Sequence, residues 1–527
     1  MAKLSKITEE SARGGFFLFS GTALSSIILA VSVIFLGRFM GPELYGQFSL
    51  VIVVPTFLML LTDLGISAGV TKFTASFREE GKTAEVATII RRGMLLRLAI
   101  GVALALLTVI FADYFALLIN RPELSVYIQL VAFSVVFHVV YSTANSAFVG
   151  LDRSEYSALI TNVQALSRAS LQIGLVLFGF SITGALIGYV GGLLVASVLG
   201  VFLLVRFFKH VGRGTTVGQH RFSETFKKLF RFGMPVYASV VLVGLFPLFQ
   251  QVVLAFFSSD AAIGNFRAAY NFASLLLIIL TSISTALLPA FSKLESSPEL
   301  VNMFFKRVTK YTCLIIVPSI IFLILFSTPI VELIYGTEYH SAPFFLSLSC
   351  LPYLLVGIGY LTLNSLFTGL GKTTWLLKVT LLNFIFLLCL SPILAQAFDV
   401  TGVIIANLIS SIVASIYSLH VGLRYLKISF DVRMLLKIYT VATFSTFPVL
   451  TFNFFFPLSS LFALVFGLLI YFAVFVSLMP LTRIVNRSEL AEMSRIIGDL
   501  PLISFIAKKL FGYQKRLLVW AEFHLHD

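Results

Sequence analysis

Within long apolar runs of this sequence stand residues able to do ionic chemistry, chief among them Asp63, His138 and Arg168. An arginine at such depth costs about 2.5–3.5 kcal/mol on insertion scales unless it faces protein or a water-filled cavity, so its place needs a reason. A guanidinium stays charged and can hold two oxygens of one phosphate at once, which makes Arg168 a candidate anion receptor. Asp63 could pair with Arg168, accept a coupling proton or Na+, or serve as a satisfied structural carboxylate. His138 has no second His or Cys at ligand-like spacing and reads as a bridge between helices. Arg38 and Arg267, at the ends of their runs, could meet an anion or pair with Glu43 and Asp260. Gln164, Gln172, Gln250, Gln251, Asn162, Asn265 and Asn271 could bond the hydroxyls of a ligand or join helices to each other. No cofactor or metal follows from these residues. The stretch GLGKTT (369–374) has only part of the spacing of a phosphate-binding GxxxxGK[ST] loop, and Cys313, Cys350 and Cys389 lie in separate apolar runs.

The elements that must position these groups follow from composition. The chain has 527 residues, 58% of them apolar and 12% charged, with mean hydropathy +0.99. No ordinary soluble domain has that balance. Apolar segments of the length an α-helix needs to cross about 30 Å of hydrocarbon recur from end to end, whereas barrel strands would be about half as long and alternating. The expected fold is therefore an all-α polytopic membrane protein of about fourteen transmembrane helices, at 14–37, 47–70, 93–117, 125–149, 156–178, 183–207, 233–257, 264–290, 310–327, 343–367, 374–396, 400–424, 434–456 and 459–480. The first is too long for a signal-peptide core and is kept as a span.

The net charge of +14 does not point to nucleic acid, because of where it sits. Of 38 Lys and Arg, Arg38, Arg121 and Arg267 fall after odd-numbered spans and Arg168 lies within one. The rest lie at the termini or around connections after even-numbered spans, including a cluster from Lys72 to Arg97. The positive-inside rule then puts both termini in the cytoplasm, with the basic loops near anionic lipid.

An internal repeat orders the spans. YSTANSAFVGL (141–151) and YLTLNSLFTGL (360–370) are identical at seven of eleven positions, 219 residues apart. At an offset of 218, Gly46 meets Gly264 and Phe48 meets Phe266; at 215, LIN (118–120) meets LIY (333–335). The chain thus divides into a six-helix bundle (1–210), a cytoplasmic linker (211–232), a second six-helix bundle (233–427), two further transmembrane helices (428–482) and a cytoplasmic tail (483–527). Two parallel bundles related by a pseudo-twofold axis along the membrane normal make the architecture of a transporter. Asn145 and Asn364 would cap or cross-link helices, and Gly150 and Gly369 would end spans. What serves an asymmetric substrate need not repeat, and Arg168, Asp63 and His138 map to Leu387, Thr281 and Gly357.

Several phrases, in order and in place, resemble the oligosaccharide or polysaccharide-biosynthesis flippases of the O-antigen type, within the multidrug/oligosaccharidyl-lipid/polysaccharide exporter superfamily. They are RFMGPELYGQFSL (38–50), DLGISAGVTKF (63–73), LFRFGMPVYAS (229–239), AAIGNFRAAYNFASLL (261–276) and LIYGTEYHSA (333–342). The resemblance implies a non-enzymatic transporter of the cell membrane that moves a lipid-linked saccharide from the inner to the outer leaflet by alternating access. Its implied partners are that substrate, membrane lipids and other polysaccharide-biosynthesis proteins. Coupling to H+, to Na+ or to the membrane potential is open. The rival within the superfamily is a cation-coupled multidrug or small-solute antiporter, with Asp63 as its coupling site. A membrane glycosyltransferase or ligase would need a large outer domain or acidic catalytic loop, and the longest outer connection is 328–342.

Overall fold

The computed structural model describes residues 2–211, 222–294, 297–456, 458–498 and 504–524, and the described residues form helices and turns with no strand. Part of the expected linker (212–221) and parts of the expected tail (499–503 and 525–527) lie outside the described residues. The chain is a multi-pass helical membrane protein. Among the described residues ten helices are long and apolar enough to cross a membrane, eleven if the bent pair Ala342–Ile358 and Thr362–Gly369 is one span.

Length and composition alone do not return fourteen, because three of these helices are double. Phe17–Leu61, Ser154–Lys209 and Thr373–Tyr425 run 45, 56 and 53 residues. At 1.5 Å per residue even the shortest would extend about 68 Å, more than twice the hydrocarbon thickness of about 30 Å. Each contains a place where the backbone leaves the helical region: Gly41 (φ 73°) in the first, Gly179 (φ 88°) and Ser181 (φ 47°) in the second, Asp399 (φ 55°) in the third. Two expected spans fall on each.

By contacts the chain divides into two compact units, Met1–Arg267 with Ala395–Val400, and Ala268–Leu394 with Thr401–Asp527. The first contains α1 (Ala2–Leu61), α2 (Ile66–Glu79), α3 (Thr83–Ile110), α4 (Ala112–Leu118), α5 (Ser125–Gly150), α6 (Ser154–Leu175), α7 (Ser181–Val211), α8 (Phe222–Phe257) and the start of α9 (Asp260–Leu294). Helix α5 is its pillar, packed on α1, α2, α3, α6 and α7. Around it Ile66, Ile90, Ala144, Phe148, Ile160 and Ala196 form a buried core. The tightest seam joins α6 to α7. There Gly184, Gly188 and Gly192 recur every fourth residue, so they share one helix face and let the α6 backbone come close. A Cβ on Gly188 would lie 2.7 Å from Gln172 Cα, and one on Gly192 2.8 Å from Arg168 Cα.

The second unit contains the rest of α9, then α10 (Pro298–Leu325), α11 (Ser327–Ile334), α12 (Ala342–Cys350), α13 (Thr362–Gly369), α14 (Thr373–Tyr425), α15 (Val432–Phe444), α16 (Thr446–Phe455), α17 (Ser460–Leu481), α18 (Arg487–Gly498) and α19 (Ser504–His524). Its core gathers Phe291, Phe305, Leu363, Phe367 and Val421. The expected tenth span is broken between α12 and α13, with a 50° bend. Pro352 removes one backbone donor there, and the chain passes through Gly359 (φ 90°) and Leu361 (φ 65°) before restarting. Tyr439 on α15 takes up freed backbone groups: its hydroxyl donates to the Leu354 carbonyl and accepts from Gly357 N at 3.2 Å. Asp431 caps α15 by accepting from Met434 N at 3.1 Å.

Candidate functional site

The site is built where the second expected span stops being helical. Helix α1 ends at Leu61, Leu64 (φ 43°) and Gly65 (φ 77°) turn the chain, and α2 restarts at Ile66. Gly65 is required twice, by its positive φ and because a Cβ would run into the Gly233 backbone of α8. The break leaves unpaired backbone donors, and Asp63 Oδ1 accepts from one of them, Ser67 N at 3.1 Å. From α3, Arg97 reaches into the same break. It donates to Ser67 Oγ at 2.7 Å and to Thr143 Oγ1 on α5 at 3.0 Å, and its Nη2 stands 3.5 Å from Asp63 Oδ1. The Arg97 side chain is 1% exposed and that of Asp63 29%.

Arg168 stands on α6, fourteen residues beyond Ser154, which places it about 21 Å along the helix. The glycine face of α7 sets its height, and Gln172 sets its direction. Gln172 Nε2 donates to the Ala185 carbonyl of α7 at 2.9 Å. Its Oε1 accepts from Ser32 Oγ of α1 at 3.2 Å and from Arg168 Nε at 3.3 Å. The guanidinium then lies over the Tyr189 ring, 4.5 Å from its centroid, a cation–π stack that leaves the charge uncancelled. Among the described residues Arg168 has no carboxylate partner.

Asp63, Arg97, His138, Gln164, Arg168 and Tyr189 line one cavity of about 480 Å³ within the first unit, closed on other sides by Thr56, Tyr141 and Tyr237. That volume lies in the usual range for small-ligand sites, about 300–1,000 Å³. Among the described residues the wall carries two guanidiniums against one carboxylate. Chemically it can receive an anion at Arg168, and it can exchange the partner of Asp63.

Of the residues expected from sequence, the structure brings Asp63, His138, Gln164 and Arg168 together. Of the alternatives the sequence left open for Asp63, the pairing with Arg168 does not form; Asp63 pairs with Arg97. Gln172 is buried behind Arg168 and acts on its position. Gln250 and Gln251 lie half-buried on α8, away from this wall. Asn271 donates to Tyr335 OH at 3.0 Å in the second unit. Asn162 and Asn265 each bond a carbonyl one turn back in their own helix, at 2.9 and 2.8 Å. Arg38 is exposed on α1 just before the Gly41 break. Arg267 does not take Asp260, which is held instead by Arg121 Nε at 2.6 Å and Gln47 Nε2 at 3.0 Å; the Arg267 Nε is buried without a hydrogen bond. Asn145 does cross-link helices, accepting from Ser157 Oγ of α6 at 3.2 Å, and Gly150 and Gly369 are the last residues of α5 and α13.

Arg97 is the residue sequence reasoning missed, having been grouped with the basic cluster from Lys72. A signal existed: at the offset of 215 it maps to Thr312, one more ionic departure confined to the first half. The stretch GALIGYVGG (184–192) likewise held the glycine spacing that positions Arg168.

Comparison with known proteins agrees with this architecture. The chain is 24% identical over 356 residues to the lipopolysaccharide biosynthesis protein WzxC of Escherichia coli (strain K12), a match covering 64% of this chain and 66% of that protein, just under two thirds of its length. Its fold is similar to that of the lipid II flippase MurJ in an inward closed conformation (TM-score 0.70, 18% identity, 89% of this chain and 100% of that one). It is similar also to an inward-facing multidrug resistance MATE family transporter of the MOP superfamily (TM-score 0.66, 17% identity, 76% and 94%). The family model described as polysaccharide biosynthesis protein matches residues 11–295, more than half of the sequence, and the chain belongs to that family.

Proposed function

We propose that this protein is a flippase that carries a lipid-linked saccharide precursor from the inner to the outer leaflet of the cell membrane, with both termini cytoplasmic. The observation that carries the reading is Arg168, a cation held on the wall of a membrane-depth cavity with no carboxylate beside it. A guanidinium placed so needs an anion to repay its desolvation, and a phosphate or diphosphate between lipid and sugar supplies one. Gln164 and Tyr141 on the same wall offer hydrogen bonds to sugar hydroxyls. Family membership, the similarity to a lipopolysaccharide biosynthesis protein and the likeness in fold to a lipid II flippase support the substrate class. The six-helix bundles 1–210 and 233–427 are the parts that alternate access, with 428–482 added to the second. Other proteins of polysaccharide biosynthesis are its functional partners.

A net positive wall disfavours the antiporter reading, since the Asp63 carboxylate is already taken by Arg97 and an organic cation would meet the uncompensated charge of Arg168. Movement needs no nucleotide: each net negative charge carried outward across an inside-negative membrane gains about 2.3 kcal/mol per 100 mV. Asp63 is the proposed coupling carboxylate. A proton or Na+ taken there competes with Arg97 and frees that guanidinium for the ligand.

Arg168→Leu should abolish the appearance of lipid-linked saccharide on the outer face while the protein accumulates normally, and Arg168→Lys, which keeps charge but not the planar fork, should restore part of it. Undiminished transport by Arg168→Leu would overturn the assignment.

A further inference from the structure

The first unit carries a second cavity that the transport site does not use. Helices α3 and α7 both pack on α5 but make almost no contact with each other, and between them runs an apolar groove of about 510 Å³. Its walls are two helical stripes, with Ile90 and Met94 from α3 and Leu204 and Phe208 from α7. Lys209 stands at the end where α7 finishes, and Arg91, one turn beyond Ala87 on the first half of α3, lines the same groove. No acidic side chain lines the groove, and neither basic group has an ion-pair partner among the described residues. An amphiphile with one anionic head and an extended chain matches both parts. A free phosphate would leave the slot unfilled, and a zwitterionic lipid would leave the charge uncompensated.

We propose that this groove is a binding site for an anionic phospholipid, its phosphate on Arg91 and Lys209 and one acyl chain along α3 and α7. Basic pockets between transmembrane helices at the membrane surface bind anionic head groups in this manner, and each basic residue contributes about 1 kcal/mol. Losing both should weaken binding about 25-fold, the equivalent of about 2 kcal/mol at 1.4 kcal/mol per tenfold.

The test is native mass spectrometry of the full chain in neutral detergent, titrated with phosphatidylglycerol or phosphatidylcholine. Wild type should retain phosphatidylglycerol preferentially, Arg91→Gln/Lys209→Gln should lose about 25-fold in affinity, and Met94→Trp, which fills the slot and keeps the charges, should also lose it. Lys372→Gln/Lys378→Gln should bind as wild type. Equal binding of the two lipids, equal affinity of the Arg91→Gln/Lys209→Gln variant, or displacement by inorganic phosphate at the same concentration would overturn the proposal. So would displacement by a polyprenyl diphosphate at concentrations more than tenfold lower, which would make the groove a station for transported lipid. Arg168→Leu should bind phosphatidylglycerol unchanged, so this site stands or falls apart from the transport reading.

Discussion

Replacing Arg97 by Met should destabilise the protein by about 3 kcal/mol, and Asp63→Asn in the same chain should add little more. The pair is separated by 3.5 Å, which at an effective dielectric of about 20 is worth about 5 kcal/mol of attraction. Taking away one member of a buried pair costs about 3–5 kcal/mol because the other is left uncompensated. The lower end applies here, since Asp63 is 29% exposed to the cavity and keeps its bond from Ser67 N. Asp63→Asn alone leaves Arg97 bonded to Ser67 and Thr143 but without a counter-charge, a loss of about 2–3 kcal/mol. Independent sites would sum to about 5–6 kcal/mol in the double variant, whereas a coupled pair should stop near 3–4, a coupling of about 2 kcal/mol. Unfolding in detergent can be followed with a thiol-reactive dye, since Cys313 and Cys350 are fully buried and Cys389, exposed, gives a constant baseline. Losses that add to within about 0.5 kcal/mol would refute the pairing as the energetic centre of the site.

Two more outcomes follow from the same geometry. Gly192→Val should cut transport severely with Arg168 itself intact, because the added Cβ would stand 2.8 Å from Arg168 Cα and α6 must retreat; overpacking of this kind costs about 1–3 kcal/mol, and wild-type flux in vesicles would show that the glycine face does not set the site. Asp63→Asn should leave a vesicle flux that no longer responds to an imposed proton or Na+ gradient, and a wild-type flux insensitive to both gradients would remove the coupling role.

The fold class and four of the cavity residues were legible because burying an ionisable or amide group in an apolar run is costly, so Asp63, His138, Gln164 and Arg168 announce a polar interior by their presence alone. Arg97 was hidden by its neighbours. It lies six residues beyond Arg91, where basic residues already serve topology, and nothing linear marks that six residues rotate a helix about 600°, onto another face. Arg91 therefore meets the groove and Arg97 the bundle interior. Apolar runs divided the spans at places where the structure keeps one long helix with a local break, at Gly41 and Asp399, because a single residue leaving the helical region interrupts few backbone hydrogen bonds. Pairings across the fold were beyond reach: Asp260 chose Arg121 over Arg267 because carbonyls of Ala255 and Ser258 complete the Arg121 fork at 3.2 and 2.7 Å.

The repeated stretch separates construction from chemistry. Gly150 and Gly369 both end helices and both meet a neighbouring helix too closely for a side chain, Gly150 at Thr71 and Gly369 at the Leu288 carbonyl; that shared role accounts for their recurrence. Thr143 and Thr362 also recur, yet Thr143 accepts from Arg97 inside a continuous α5, while Thr362 opens α13 after a break. The same residue has different work because Arg97 has Thr312 as its counterpart and Arg168 has Leu387. Each deep guanidinium carries a cost of about 2.5–3.5 kcal/mol that its surroundings must offset, so a second pair in the other half would need a second set of supports like Gln172 and Tyr189. Keeping Arg97 and Arg168 in one unit leaves one supported guanidinium without a carboxylate on the cavity wall, which under the proposed function an asymmetric ligand with a single phosphate-bearing segment would fill.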